Sequence, residues 1–159
     1  MMAAPALRVR ASRPADQAAV RELLTASKLP VADLDTATGL RFWVAEDNGR
    51  VIAAIGLEQH GSAVLLRSLV VSACQRNRGL GRELVATLER EARVAGAVLV
   101  VLLTESAEAF FTRLGYAVVD RRYAPEELKE CAEFRSLCPA SASCMTKSLV
   151  SDSVAVLRG

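Results

Sequence analysis

The segment Leu69-Val70-Val71-Ser72-Ala73-Cys74-Gln75-Arg76-Asn77-Arg78-Gly79-Leu80-Gly81-Arg82 joins an apolar strand to a basic, glycine-containing turn, and the turn opens an amphipathic helix. Such a junction is suited to an anion. The first amides of a helix lack intrahelical acceptors and stand at the positive end of its dipole. Gly79 and Gly81 carry no Cβ, so a diphosphate can come close to the backbone there. Arg76, Arg78 and Arg82 add positive charge around it. A glycine-punctuated turn with solvated arginines has the same composition, so the segment alone names no ligand. Two phosphate motifs are excluded. No Gly-Lys-Ser/Thr follows, as a Walker loop requires, and residues 76–81 lack the glycine spacing of the dinucleotide fingerprint.

Upstream of the turn, residues 63–71 read as a strand. Before it, residues 42–45 and 51–56 read as a hairpin about the turn Asp47-Asn48-Gly49-Arg50. Leu7-Arg8-Val9-Arg10 alternates apolar and charged, as a short first strand does. Arg13-Pro14-Ala15-Asp16 starts a helix carrying Val20, Leu23 and Leu24 at helical spacing; Pro30 is expected to break it, and residues 31–34 to form a short second helical turn.

Downstream, residues 79–95 form a long helix with Leu80, Leu84, Val85, Leu88 and Ala92 on one face, ended by Gly96. Residues 98–103 are a continuous apolar run, the pattern of a strand covered on both faces. A helix over 108–114 stopped by Gly115, a strand over 117–119, a short helix near 126–131 and a last strand over 143–149 complete the order. An antiparallel meander followed by a strand–helix–strand crossover predicts an α/β fold. Its central sheet is mixed and largely antiparallel, with helices on both faces. Residues 1–150 are expected to be a single domain and 151–159 a C-terminal tail.

Composition narrows the function. A chain of 159 residues, 52% hydrophobic, can bury its own core without disulfides or metals. Its 20 Lys and Arg against 18 Asp and Glu leave a net charge of only +2, spread along the chain, and aromatics are scarce, which argues against nucleic-acid binding. Charged residues interrupt every apolar run before the roughly 20 residues a membrane helix needs. The short start, with Arg8 and Arg10 close behind, resembles no secretory segment, so a cytoplasmic protein is expected. Cys74, Cys131, Cys138 and Cys144 form no C-x-x-C pair, and with a single histidine no metal site is expected. The cysteines read as reduced, partly buried residues. The assembly state stays open, a homodimer included.

Arg76-x-x-Gly79-x-Gly81, preceded by Leu69-Val70-Val71 and followed by a helix, resembles the acetyl-CoA signature of GNAT acetyltransferases. Ala109-Phe110-Phe111-Thr112-Arg113-Leu114-Gly115-Tyr116 resembles the helix and Leu-Gly-Tyr/Phe turn that close the cofactor cleft in that family. The resemblance covers roughly residues 7–149 and implies acetyl-CoA as co-substrate and a small-molecule amine as acceptor. It implies that Arg76, Asn77, Arg78, Gly79, Leu80 and Gly81 hold the diphosphate, with Arg82 beside them. Backbone groups of Leu69 and Val71 would pair with the pantetheine arm where the fourth and fifth strands splay apart. An amide near Val70 would face the oxyanion. Many family members carry a Tyr as acid where this chain has Phe111. Tyr116 reads as a packing residue and Tyr123 as a distant substitute.

The amine must lose a proton before it attacks, so a base or a water chain is needed. Glu58, Glu105 and His60 are the candidates and Glu58 is the choice among them, although Glu58 and Glu105 read more readily as ordinary exposed carboxylates and His60 as a loop bystander. Arg67 and Ser68 interrupt an apolar strand; alternation sends them to opposite faces, one of them toward substrate, where Arg67 would clamp a carboxylate. The stretch from Glu133 to Met145, with Leu65-Leu66-Arg67-Ser68-Leu69, resembles the arsenic-resistance N-acetyltransferases of bacterial arsenic operons. That implies an amino-acid-like substrate, such as the glutamate analogues arsinothricin or phosphinothricin, met by Arg67 and Arg135. Two other readings stand beside it. One is a non-catalytic acetyl-CoA- or arsenical-binding module using Cys131, Cys138 and Cys144. The other is a protein N-terminal acetyltransferase.

Overall fold

The structure, a computed structural model, describes residues 7–137 and 141–150. Its strands are β1 (Leu7–Ala11), β2 (Leu40–Asp47), β3 (Arg50–His60), β4 (Ala63–Val71), β5 (Leu99–Thr104), β6 (Ala117–Val119) and β7 (Ser143–Ser148), in the sheet order β1-β2-β3-β4-β5-β7-β6. β1 lies antiparallel to β2 with Val9 opposite Ala45, and β2 antiparallel to β3 with Phe42 opposite Gly56. The β2–β3 loop is Asn48-Gly49, both in the left-handed region (φ 51° and 83°), as a two-residue hairpin turn demands. β5 runs parallel to β4, pairing Ala63–Leu65 with Leu99–Val101. β7 then inserts antiparallel between β5 and β6. The sheet is mixed and largely antiparallel, as the sequence predicts. No helix among the described residues is long and apolar enough to cross a membrane.

The chain divides into two compact units, Met1–Glu58 with Leu66–Leu88, and Gln59–Leu65 with Glu89–Gly159. In the first, helix α1 (Gln17–Ala26) lays Val20 and Leu24 against Val44, Ala54 and Val70. A 3-10 turn, Pro14–Asp16, precedes it. The Asp16 carboxylate accepts from the Arg13 amide at 2.7 Å and from the Arg10 guanidinium at 2.7 and 3.1 Å, which holds its pKa down to about 2. Arg10 also bonds Glu46. α1 stops at Ala26, short of the expected break at Pro30. The Ser27 amide closes on Leu23 and Leu24, and Lys28 turns left-handed (φ 60°). Residues 32–36 form hydrogen-bonded turns and not the helical turn expected there, with Thr36 bonded back to Asp33.

Helix α2 (Leu80–Val94) buries Leu80, Leu84, Val85, Leu88 and Ala92, the face its spacing predicts. In the second unit, Leu65 and Val101 pack with Ala124, Leu128, Cys131 and Cys144. This unit holds helices α3 (Glu108–Arg113) and α4 (Glu126–Lys129) and a π-helical turn, Glu133–Leu137, that no sequence pattern announced. The expected tail over 151–159 and Cys138 lie outside the described residues.

Candidate active site

The turn after β4 is open. A 3-10 turn, Ala73–Gln75, leads into Arg76, Asn77, Arg78 and Gly79, all exposed. Asn77 and Gly79 are both left-handed (φ 68° and 78°). The first helical hydrogen bond of α2 runs from the Glu83 amide to the Gly79 carbonyl at 3.1 Å, so the amides of Leu80, Gly81 and Arg82 precede it. The Leu80 side chain is 2% exposed and pins the helix start to the core. A Cβ built on Gly79 meets no atom within 4 Å, so the space beside that residue is open. The arginines are only lightly held. Arg76 Nε reaches the Val71 carbonyl at 3.3 Å, Arg78 bonds the Gln75 side chain and stands 3.8 Å from Asp47, and Arg82 is exposed.

One turn of strand earlier the charges are closed. Arg67 is buried, and its guanidinium grips Asp33 with two bonds of 2.7 and 2.8 Å and Glu58 Oε1 at 3.1 Å. Expected to hold a substrate carboxylate, Arg67 holds two of the protein's own. The contact lowers the pKa of Asp33, the Arg67 hydrogen bond outweighing the burial that opposes it. Glu58, expected beyond the hairpin strand, lies inside β3 and is 3% exposed, because β3 runs on to His60. Ser68 does not point away from Arg67: its φ of 58° breaks the alternation, and its hydroxyl accepts from Arg67 Nε at 3.1 Å. The strands crowd here. A Cβ on Gly56 would lie 3.2 Å from the Arg67 carbonyl and from the Phe42 ring. Beyond Ser68, Val70 is buried in the α1 core, while Leu69 and Val71 are half-buried.

In the second unit, Phe111 is 4% exposed and meets Phe110 and Tyr116 edge-on, at 5.0 and 5.5 Å between ring centres. The Tyr116 hydroxyl donates to Glu89 at 2.9 Å; burial, then the Glu89 charge, push its pKa far above the ordinary phenol value. Lys147 completes the group, reaching Glu89 at 3.1 and 3.2 Å and the Leu114 carbonyl at 2.8 Å. Tyr116 is thus the packing residue the sequence suggests. Arg135, on the π-helical turn, is exposed, as are Glu105 and Tyr123, and His60 ends β3 half-buried. Cys131 and Cys144 lie in no disulfide and sit in the apolar cluster, and burial raises the pKa of Cys144; Cys74 is in no disulfide and exposed.

Sequence reading missed Asp33, Glu89 and Lys147. An arginine inside an apolar strand announces that it needs a buried acid, which is the signal that points to Asp33. Nothing comparable marks Glu89, which sits among the ordinary charges of an amphipathic helix.

The fold is that of acyl-CoA N-acyltransferases. The structure superimposes on Rv2747 from Mycobacterium tuberculosis, solved with CoA, with a TM-score of 0.76 at 24% identity, covering 90% of this chain and 99% of that one. It superimposes on N-acetylglutamate synthase from Neisseria gonorrhoeae, complexed with coenzyme A and N-acetyl-glutamate, with a TM-score of 0.77 at 16% identity, covering 95% of this chain and 36% of that one. Residues 38–118, just over half of the chain, match the acetyltransferase (GNAT) domain, and the chain belongs to that family. An uncharacterised N-acetyltransferase of Chlorobaculum tepidum is 31% identical over 105 residues, 65% of this chain. The chain spans 64% of the length of that curated relative.

Proposed function

We propose that the chain is an N-acetyltransferase that moves the acetyl group of acetyl-CoA to the amine of a small amino-acid-like substrate. The observation that carries this reading is the turn and helix start at residues 76–82. Its left-handed Asn77 and Gly79, its bare helix-start amides and its three lightly held arginines fit a diphosphate, and the space a Gly79 Cβ would fill is open. The amides of Leu80, Gly81 and Arg82 would bind the phosphate oxygens, with Arg76, Arg78 and Arg82 supplying countercharge. Backbone groups of Leu69 and Val71 would align the pantetheine arm, and the Val70 amide would face the developing oxyanion.

The co-substrate supplies an acyl carbon on a thioester. The amine attacks it directly, the C–N bond forming as the C–S bond breaks and the thiolate leaves. Glu58 would take the amine proton through water, and Arg67 with Asp33 would fix the Glu58 carboxylate in place. With Phe111 where an acidic phenol would stand, no side-chain acid is assigned to the leaving thiolate.

For the acceptor, the likeness of residues 133–145 and 65–69 to the arsenic-resistance N-acetyltransferases supports a glutamate analogue bearing an arsenic or phosphorus oxyacid. The exposed Arg135 is then the candidate partner for one acidic end. The test is coenzyme A release from acetyl-CoA with glutamate, arsinothricin and phosphinothricin as acceptors. Turnover with one of the two analogues, above that with glutamate, is expected. Acetyl-CoA binding without turnover on any of them would refute the acceptor class, and no acetyl-CoA binding would refute the activity.

A further inference from the structure

We infer that a second ligand site, for a small carboxylate with a flat apolar body, lies in the first unit at the outer end of the sheet. A cavity of about 440 Å³ opens there between the end of β1, the start of α1 and the start of β2. Its volume lies in the range of small-molecule pockets. Val20, Leu34, Phe42 and Trp43 give it apolar and aromatic walls. None of its lining residues belongs to the turn at 76–82 or to the Arg67 cluster, so the proposed transfer chemistry leaves it unexplained.

Its charge is one-sided. Among the described residues, Arg13 and Arg41 line it and no acidic residue does. The Arg41 guanidinium stands 5.2 Å from the centre of the Trp43 ring and makes no ion pair among the described residues. Arg13 has Glu46 at 3.8 Å and feels the Asp16 charge, and Arg10 already bonds both of those carboxylates. Two guanidiniums with weak or no acidic partners at an aromatic-walled cavity match a planar carboxylate, which guanidinium groups bind in bidentate fashion. A phosphate fits less well. Such sites recruit helix-start amides, and here the first helical position is Pro14, which has no N–H. The apolar side chains of Val20, Leu34 and Phe42 take the flat body of the ligand, and the guanidiniums take its acid.

Trp43 is the only tryptophan in the chain, so the cavity carries its own reporter. Benzoate, titrated into the wild-type protein, is expected to change Trp43 fluorescence saturably, with benzamide, its neutral counterpart, at least 10-fold weaker. Arg13→Gln and Arg41→Gln are each expected to raise the benzoate half-saturation about 10-fold. Because Arg41→Gln alters the surroundings of Trp43, saturation-transfer NMR on benzoate gives a second readout. Saturating acetyl-CoA is expected to leave the titration unmoved. Equal responses to benzoate and benzamide, no saturable response by either method, half-saturation unchanged in both variants, or displacement by acetyl-CoA would each overturn the site.

Discussion

Two arginine clusters sit within a few residues of each other on one stretch of chain, and they differ in what answers their charge. Arg67 is buried and closed on Asp33 and Glu58, so its charge is cancelled inside the protein. Arg76, Arg78 and Arg82 are exposed, touch the protein at a carbonyl, an amide side chain and a distant carboxylate, and surround helix-start amides. A charge that the fold neutralises organises the fold; a charge left beside bare amides is available to a ligand. In the proposed function, Arg67 positions Glu58 and the turn binds the co-substrate.

The sharpest way to break that assignment is Arg67→Leu, which strands two buried acids. A loss of about 3–5 kcal/mol in urea unfolding is expected. Adding Asp33→Asn and Glu58→Gln to the same chain should return much of it, because the uncompensated charges are then gone. If Arg67→Leu leaves stability untouched and only weakens substrate binding, Arg67 belongs with the ligand arginines after all.

At the open turn the order of effects reverses. Gly79→Val forces a β-branched residue to a φ of 78° and adds bulk at the proposed diphosphate turn. Acetyl-CoA affinity should fall about 30-fold, or about 2 kcal/mol, by calorimetry. Stability should fall by only about 1–2 kcal/mol, the strain of a left-handed residue. Tyr116→Phe tests a closed cluster with a different lock. Removing the hydroxyl from Glu89 should cost about 1.5 kcal/mol of stability, since Lys147 still holds that carboxylate. The smallest effect concerns Asp16. Its pKa is depressed from 3.8 to about 2, so its bonds with Arg10 and Arg13 stabilise the fold above pH about 4, and that contribution is lost as pH falls through about 2. Between these limits the wild type should lose about 1 kcal/mol more than Asp16→Asn in urea unfolding.

The open turn was legible in the sequence and the closed cluster was not, for a physical reason. An apolar strand, a glycine turn and an amphipathic helix are local patterns, and β4 begins and ends at the residues its composition predicts. Arg67 meets Asp33 from 34 residues away, on a segment of turns without periodicity, so only the tertiary fold brings them together. The alternation argument failed at Ser68 because its left-handed backbone is carried by a residue other than glycine, which leaves no mark in the sequence. The hairpin strand read over 51–56 runs longer, because β3 continues through Leu57 and Glu58, paired with Arg41 and Leu40. The insertion of β7 between β5 and β6, and the π-helical turn at Glu133–Leu137, are equally nonlocal choices.

The most direct test of the central claim is a calorimetric comparison of acetyl-CoA with S-acetyl-4′-phosphopantetheine, which keeps the thioester arm but lacks the diphosphate. If residues 76–82 hold the diphosphate, the wild-type protein binds acetyl-CoA at least about 100-fold more tightly, and Arg76→Glu with Arg78→Glu removes most of that advantage. Equal affinity of the wild-type protein for the two compounds would contradict it.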